Sequence, residues 1–443
     1  MTWEGPDDWR DDAYQDDGWP EDDTIRWPLT WRGLLPRERW QWFERLWSDA
    51  CELRVRYRLA IRSQWWEDEV QVEALAALAR LRAAEPVSWL PSLEGWLVTR
   101  HDLVLAAMRD AATFTVDDPR FSTAQVVGPS MLSLDGREHD RHRAPFVGPF
   151  RAGEVAGRFA QSTEDEANRL IDEIAPAGAA ELRRAFAGPM ATAIVTEALG
   201  LARAEVDDVL VWYDAIVASV TSITAGTGAT SAGREAFDGL SARLRTVIEG
   251  GDRSSLLAAA AGAGTLSAEQ VISNAAVLLF GGIETTEGMI ATAALYLLAP
   301  ERAEAARADP AALGAAIDES LRLEPAAAVV DRYATADVVL GDAPIARGDL
   351  VRLSITGANR DPAVFADPDV FDPQRPNLRR HVAFAQGPHV CVGVHLARLE
   401  ARAALGALLA RLPGLRLDPE RPAEVRGLVF RKPQRLDVVW EAA

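Results

Sequence analysis

The chain has 443 residues, of which 48% are hydrophobic and 26% charged, the balance of a folded globular protein. Its formal net charge of −19 argues against a general affinity for nucleic acid or for anionic membranes. Two cysteines, Cys51 and Cys391, are too few for a disulfide framework or a four-thiolate zinc site, so we expect a cytoplasmic protein.

The first 66 residues differ in composition from the rest. They contain ten of the 14 tryptophans, and residues 1–30 carry ten acidic side chains against two arginines. This composition predicts an acidic, tryptophan-rich extension. It is either a disordered tail followed by a helix near 36–62 or a docking segment, because tryptophans favour interfaces. The extension lacks the pattern of a secretory leader, and the most apolar stretch, 275–283, is too short to span a bilayer.

The remaining residues, 67–443, are predicted to form one mainly α-helical domain with small β-sheets. Helical patterns rich in Ala, Leu and Arg dominate to about residue 325. Short strand-like runs are found at 95–99, 338–340, 350–355 and 436–439. Two Ala/Gly-rich stretches, 225–233 and 258–265, predict mobile loops.

A long helix is predicted to begin after Ser267. Ser267 and Gln270 have the spacing of a capping box, and apolar, helix-compatible sequence continues to Ala299 before Pro300. About 32 residues at 1.5 Å per residue give a rod of roughly 48 Å. Such a helix can cross a whole domain.

Inside this helix the sequence GGIETT, at 281–286, combines two glycines with an acid–alcohol pair, Glu284 and Thr285. An interior glycine costs roughly 1 kcal/mol relative to alanine. Two in succession therefore need a reason, and the close approach of a flat cofactor would supply one.

The strongest indication of function is the segment FAQGPHVCVG at 384–393. Its glycines and proline impose a tight turn, and a helix is predicted from Val394 to Arg411. Cys391 therefore lies where a loop enters a helix, whose free N–H groups and dipole stabilise a thiolate. They can lower a cysteine pKa from about 8.5 into roughly the 3.5–7.5 range. A thiolate that faces an iron is the ligand type that favours O–O cleavage.

The spacing of Phe384, Gly387, Cys391 and Gly393 resembles the signature of the cytochrome P450 family. The resemblance runs from about residue 70 to the C-terminus. It implies the cytochrome P450 fold, a haem b (iron protoporphyrin IX) cofactor and Cys391 as the axial ligand of the iron. Ala385 stands where many members have glycine, a change that we expect to be tolerated if φ there is negative.

The same resemblance assigns roles to other residues. Thr285 would hydrogen-bond dioxygen, and Glu284 would help to relay protons from solvent. Four residues would bind the haem propionates, and the arginines among them can bind carboxylates bidentately. They are His139, Arg143, Arg332 and His389. The residues assigned to haem binding are therefore His139, Arg143, Gly281, Arg332, Phe384, His389 and Gly393.

A charged network behind the haem is also implied. Glu319 and Arg322 are three residues apart on a helical stretch and so share a face. The family resemblance joins them to Arg375. If this network is buried, breaking one partner would cost about 3–5 kcal/mol. Near His139, the family's usual Pro-Pro is replaced by Gly136-Arg137, so the local loop is expected to differ.

The resemblance also outlines a substrate cavity and an electron supply. The segments expected to line the cavity are 115–133, 216–230, the front of the central helix, 326–330 and 428–429. Their small, apolar residues favour an uncharged, fairly bulky organic substrate. Without a flavin, nicotinamide or iron–sulfur motif in the chain, electrons would come from a ferredoxin and a ferredoxin reductase. A basic patch could dock that ferredoxin, formed by Arg379, Arg380, Arg398 and Arg402.

The predicted reaction inserts one oxygen atom from O₂ into a small organic substrate and reduces the other atom to water. Two alternatives remain open: a peroxide-driven peroxygenase, and a non-catalytic haem- or ligand-binding protein that acts through its tryptophan-rich segment. The pair Glu284 and Thr285 argues against both alternatives, because neither needs protons delivered to dioxygen.

Overall fold

The computed structural model describes residues 67–91, 93–224, 228–250 and 255–442. The predicted extension, residues 1–66, lies outside the described residues, so its boundary stays a prediction. The α-helices, numbered in chain order, are α1 (Glu67–Ala84), α2 (His101–Arg109), α3 (Ala124–Val127), α4 (Gly136–Val147), α5 (Ala152–Ile174), α6 (Gly188–Ala198), α7 (Val206–Thr224), α8 (Ser231–Gly250), α9 (Leu256–Gly262), α10 (Ala268–Leu297), α11 (Pro300–Ala308), α12 (Pro310–Leu323), α13 (Ile355–Asn359) and α14 (Val394–Arg411).

Short strands make up the β portion. They are β1 (Val87–Leu90), β2 (Gly95–Val98), β3 (Phe114–Thr115), β4 (Ala179–Glu181), β5 (Val329–Ala334), β6 (Val338–Leu340), β7 (Ala343–Ile345), β8 (Leu350–Ser354), β9 (Arg416–Leu417), β10 (Val425–Arg426), β11 (Lys432–Pro433) and β12 (Asp437–Val439). A five-stranded sheet has the order β1-β2-β8-β5-β3, a three-stranded sheet the order β4-β12-β9, and two hairpins pair β6 with β7 and β10 with β11. The predicted mainly α fold with small sheets is confirmed.

The five-stranded sheet joins distant parts of the chain. Its strands β2 and β8 are parallel, with Gly95 opposite Leu350, while the other pairs are antiparallel. A Cβ atom at Gly95 would lie 2.8 Å from the carbonyl oxygen of Leu350, so glycine is needed there. The indole N–H of Trp96 donates to Asp349 at 2.8 Å.

The long central helix is α10, with 30 residues. The predicted capping box is present: the Ser267 hydroxyl accepts from the backbone N–H of Gln270, and the Gln270 side chain accepts from that of Ser267. The helix packs against α6, α12 and α14. Because it is buried on several sides, a hydrophobic core surrounds most of its length.

Helix α14, which follows the cysteine loop, has the predicted bounds and packs mainly on α5. The expectation of a loop at 258–265 is wrong in part, because α9 occupies Leu256–Gly262. Ser255 caps α9 by accepting from the N–H of Ala258, and four of its seven residues are buried, which stabilises an alanine-rich helix. None of the described helices combines the length and the apolar character that a bilayer span requires.

Candidate functional site

The cysteine loop is a tight turn held against helix α2. Gly387 has φ +74°, and a Cβ atom there would lie 2.5 Å from the carbonyl oxygen of Met108. Glycine is therefore required at 387 both by the backbone conformation and by the close approach of α2. The backbone N–H of Cys391 donates to the carbonyl oxygen of Phe384 at 2.8 Å, and α14 begins three residues later.

Ala385 has φ +55°, in the left-handed region, so the condition stated for tolerating alanine is not met. An L-residue with a Cβ atom is disfavoured there by roughly 1–2 kcal/mol. The loop keeps this conformation because the Ala385 N–H donates to the carbonyl oxygen of Val382 and Gly387 fixes the next turn. The backbone at Ala385 is thus strained, six residues before the cysteine.

The Cys391 thiol is exposed to solvent, although protein atoms surround it at longer range. Burial raises the pKa of this thiol, and it outweighs the lowering effects of the Gly393 N–H and of Arg143 and Arg398. The Gly393 N–H at the start of α14 acts in the expected direction, but without a metal ion burial outweighs it. A bound metal cation would supply the missing stabilisation of a thiolate.

Two histidines from distant segments meet beside the loop. The rings of His139 and His389 lie 4.4 Å apart, and His389 Nε2 lies 2.7 Å from Oδ1 of Asp135. His139 is buried, and its Nε2 has no hydrogen-bond partner within the described part of the chain. Burial lowers the pKa of His139, with His389 and Arg143 acting in the same direction. A buried, unsatisfied nitrogen of this kind suggests a missing ligand atom.

Asp135 is the anion of this group. Burial alone would raise its pKa, but hydrogen bonds donated by His389, by the Thr115 hydroxyl and by the Val116 N–H together lower it below the ordinary 3.8. The hydrogen bonds of this carboxylate are therefore made to His389, Thr115 and Val116, and its charge also acts on Arg332 at longer range.

Two arginines complete the cluster. Arg332 is only 4% exposed and donates to the carbonyl oxygen of Asp331 at 2.8 Å. Burial lowers the pKa of Arg332 to about 10. The Asp331 carboxylate is itself bound by Arg352 at 2.7 and 2.8 Å. Arg143 donates to the carbonyl oxygen of Val390, the residue before the cysteine, at 2.6 Å.

These contacts test whether the site fits a haem. We define the propionate cluster as His139, Arg143, Arg332 and His389. Within the described residues its cations and donors exceed the available carboxylates, since the Asp135 oxygens are hydrogen-bonded already and no partner is found there for His139 Nε2. Two ionised propionates carry the charge and acceptors that would satisfy this surplus. The residues present therefore fit the group.

The two glycines of the central helix have different roles. A Cβ atom at Gly282 would lie 2.9 Å from a Val195 methyl, so this glycine is required by packing against α6. At Gly281 a Cβ atom would meet nothing within 4 Å, and the residue is exposed. Only Gly281 therefore fits the predicted approach of a flat cofactor.

The acid–alcohol pair also differs between its members. The Thr285 hydroxyl donates to the carbonyl oxygen of Gly281 at 2.5 Å, one helical turn back. The Glu284 side chain is only 16% exposed and is held by Tyr213 and Lys432. Sequence reasoning missed both partners, because Tyr213 lies on α7 and Lys432 on β11, far along the chain.

The Glu319–Arg322–Arg375 network is brought together as expected. Glu319 accepts from Arg322 at 2.7 and 2.8 Å and from Arg375 at 3.0 Å. The side chains of Glu319 and Arg322 are fully buried. Arg322 also donates to three backbone carbonyl oxygens. Every strong donor of this network therefore has a partner within the chain.

The basic patch is less uniform than expected. Arg379, Arg380 and Arg402 are exposed. Arg398 instead donates to Asp318 at 2.9 Å, and its guanidinium lies 5.0 Å above the ring of Phe384. Arg398 thus contacts the cysteine loop at Phe384 from α14, which leaves three exposed arginines for a partner.

The chain has many relatives among known proteins. A sequence profile described as "Cytochrome P450" matches residues 301–434. The protein named nocardicin C N-oxygenase, from Nocardia uniformis subsp. tsuyamanensis, is 35% identical over 402 residues, covering 86% of this chain and 100% of the relative. The 20-oxo-5-O-mycaminosyltylactone 23-monooxygenase of Streptomyces fradiae is 36% identical over 377 residues, which cover 82% of this chain and 87% of the relative. The crystal structure of P450BioI with a hexadec-9Z-enoic acid ligated acyl carrier protein superposes with TM-score 0.76 at 27% identity. The match covers 84% of this chain and 100% of the P450BioI chain.

Proposed function

Because the chain belongs to the cytochrome P450 family, we propose that Cys391 is the axial thiolate ligand of its haem b iron. The predicted fold, the haem b cofactor and the monooxygenase class are confirmed by these relatives. The observation that carries the residue assignment is the propionate cluster, whose unpartnered His139 nitrogen and surplus cations lie beside the cysteine loop. When bound, the haem reduces dioxygen and inserts one oxygen atom into a small organic substrate.

The propionate cluster would hold the two carboxylates of the cofactor. Arg332 and Arg143 would supply permanent charge, while His139 Nε2 and the ring nitrogen of His389 that does not contact Asp135 would supply hydrogen bonds. Gly281 leaves room at the central helix, Gly393 is the cap residue just before α14, and Phe384, the first residue of the loop, packs against the core. These residues would position the porphyrin beside the thiol.

Thr285 and Glu284 would deliver protons to bound dioxygen. The Thr285 hydroxyl, now bonded to the Gly281 carbonyl oxygen, can rotate to donate towards dioxygen. Glu284 is the preceding residue of α10 and would take up a proton and pass it on through water. Controlled proton delivery favours product over hydrogen peroxide, which supports the monooxygenase over the peroxygenase alternative.

The test of the ligand assignment is Cys391→Ser. We expect the variant to lose the absorption band that the reduced, carbon monoxide-bound parent shows, because that band depends on the thiolate. The matched control is Cys51→Ser, which removes the only other thiol and should keep the band. A wild-type band in Cys391→Ser would overturn the assignment.

We propose a substrate that is uncharged and fairly bulky. Two of the expected lining segments meet, since Ala327 pairs with Phe430 and the Ala328 N–H donates to the Val429 carbonyl oxygen at 2.8 Å. The relatives' names describe oxidation of nocardicin C and of a mycaminosyltylactone. Spectral titration with these two compounds and with hexadec-9-enoic acid would compare the classes. Binding of the fatty acid alone would contradict a bulky substrate.

The family's monooxygenases take electrons from redox partners, and we propose that a ferredoxin serves here, in a reducing cytoplasm. The three exposed arginines of the basic patch support an acidic partner. Reversing Arg402 to glutamate should slow reduction by a [2Fe–2S] ferredoxin, whereas reversing Arg347, on the exposed turn before β8, should not. Equal rates in the two variants would remove the patch from this role.

A further inference from the structure

Lys432 is the only lysine in a chain with 47 lysine and arginine residues. It begins strand β11 and is buried, with 8% of its surface exposed. Its ammonium nitrogen lies 2.7 Å from Oε1 of Glu284 and 2.5 Å from Oε2 of Glu287. The single lysine of the protein is thus in contact with the proposed relay acid.

The geometry explains why this position favours lysine over arginine. Glu284 and Glu287 are three residues apart on α10 and present their carboxylates on one face of the helix. An ammonium is a compact point charge with three donors, so it can bridge two carboxylates. The planar fork of arginine is suited instead to binding one carboxylate with two parallel bonds.

The Glu284 carboxylate is held at both oxygens. Lys432 binds Oε1, and the Tyr213 hydroxyl donates to Oε2 at 2.7 Å. Tyr213 is buried, and burial, followed by the nearby Glu284 charge, raises the pKa of its hydroxyl. The tyrosine therefore remains a donor across the working pH range, and the carboxylate has one fixed orientation.

Charge pairing makes Lys432 the cation that matters for Glu284. Arg183, from the turn before α6, lies 2.6 Å from Oε1 of Glu287 and so neutralises that acid independently. Within the described residues, Lys432 is the only cation paired with Glu284. Without it, Glu284 would face the Glu287 carboxylate and the neutral Tyr213, which favours the protonated carboxyl.

We propose that Lys432 is a positioning residue for Glu284, an inference that rests on the relay role proposed above. It orients the carboxylate and, together with Glu287, Arg183 and Tyr213, sets the pH range over which Glu284 takes up a proton. The relay acid is thus controlled by a strand near the C-terminus as well as by its own helix.

The test compares Lys432→Met, which removes the charge, with Lys432→Arg, which keeps it. The probe is dioxygen alone, with NADPH, a [2Fe–2S] ferredoxin and its reductase, so that no organic substrate is needed. The hydrogen peroxide formed per dioxygen consumed is measured from pH 5 to 9. We expect Lys432→Met to raise this ratio near neutrality towards its limit of one, because more dioxygen is released as peroxide and less is reduced to water. The pH midpoint of the ratio should move upward by about one unit.

Lys432→Arg should restore the parent's midpoint, and Arg183→Met, which removes the other cation of the cluster, should shift it by less than Lys432→Met. All variants must first show the parent's carbon monoxide band. A Lys432→Met protein with a normal band and the parent's midpoint would reduce Lys432 to a structural role. If Glu284→Gln itself leaves the peroxide ratio unchanged, Glu284 is not a proton relay, and the proposed role of Lys432 is overturned as well.

A second measurement needs no substitution at 432. With ¹⁵N-labelled lysine, the holoprotein contains one lysine amine signal, observable in the diamagnetic ferrous carbon monoxide form. A buried, ion-paired ammonium should exchange slowly and give a resolved correlation, and Glu284→Gln should shift it. A fast-exchanging signal, or one that Glu284→Gln does not move, would overturn the contact and therefore the proposal.

Discussion

Among the buried clusters of charge in the described residues, two are built on opposite plans. In the Glu319–Arg322–Arg375 network, one carboxylate accepts from two arginines, and backbone carbonyl oxygens take the remaining donors. In the propionate cluster, Arg332 is almost completely buried and donates to a backbone carbonyl oxygen, and His139 Nε2 has no hydrogen-bond partner among the residues that the structure describes. The first cluster is satisfied within the chain, whereas the second has donors to spare.

The difference separates a structural role from a binding role. A charge network that the chain satisfies fully stabilises the fold only as long as every member is present. A cluster left with surplus donors is costly to the protein alone and is relieved by an anionic ligand. Removing residues from the two clusters should therefore have opposite effects on the protein without haem.

The largest effect is expected for Glu319→Gln. The two arginines would lose their shared anion in a fully buried setting, so the free energy of unfolding should fall by about 3–5 kcal/mol. Denaturant unfolding of the apoprotein measures this loss. The control is Glu138→Gln, which breaks the solvent-exposed pair with Arg141 and should leave the unfolding curve unchanged. Similar losses in both variants would remove the contrast between buried and exposed pairs.

Arg332→Met should weaken haem binding without weakening the apoprotein. A hydrogen bond to a charged group contributes about 1.5–3 kcal/mol, so haem should dissociate roughly 10–100 times faster. Apoprotein stability should stay the same or rise, because burial disfavours this cation and lowers its pKa to about 10. Haem transfer to excess apomyoglobin and apoprotein melting measure the two quantities. Arg352→Met, on the neighbouring strand, is the control and should leave the haem dissociation rate unchanged.

Asp135→Asn tests the one anion of the propionate cluster through pH. In the folded protein the pKa of Asp135 lies below the ordinary 3.8. Its ionised form therefore contributes stability that is fully present above that value and is lost as pH falls through the folded pKa. For this half-buried group we expect a difference of about 1 kcal/mol or less between parent and variant at pH 6. The difference should begin to fall below about pH 4 and vanish only below the folded pKa of Asp135. A difference that persists below that pKa would mean that lost packing, not charge, is responsible.

The smallest effect, and a stabilising one, is expected for Ala385→Gly. Glycine accepts φ +55° without steric cost, which should raise the free energy of unfolding by up to about 1 kcal/mol. Thermal melting of the holoprotein is the measurement. Ala383→Gly, two residues earlier and without a positive φ, should instead be neutral or destabilising. Destabilisation by both variants would show that the alanine methyl group packs usefully in the loop.

Local signals in the sequence predicted local structure well. The capping box of Ser267 and Gln270 gave the start of α10, and the glycines before Val394 gave the start of α14. The segment around α9 was misjudged because alanine and glycine alone do not reveal the Ser255 cap or the burial that supports a helix. The type of an element can therefore be predicted from its sequence pattern, whereas the formation of a marginal helix depends on tertiary packing.

Partners across the chain could not be predicted in the same way. Asp135 and His389 are 254 residues apart, and Tyr213 and Glu284 are 71 apart. Such contacts depend on tertiary packing, which leaves no periodic trace in the sequence. The family resemblance supplied the haem-facing residues, but it did not indicate Lys432, whose two-residue strand is too short to show a pattern. The uniqueness of that lysine was the available clue.

The parallel pairing of β2 with β8 has a consequence for how the protein is made. Residues 95–98 of one strand hydrogen-bond with residues 350–353 of the other. At 5–20 residues per second, a ribosome needs on the order of tens of seconds to synthesise the intervening chain. During that time the β1–β2 hairpin exposes an unpaired edge, a known starting point for aggregation. Nascent chains stalled before residue 350 should therefore depend on chaperones more than chains released after it.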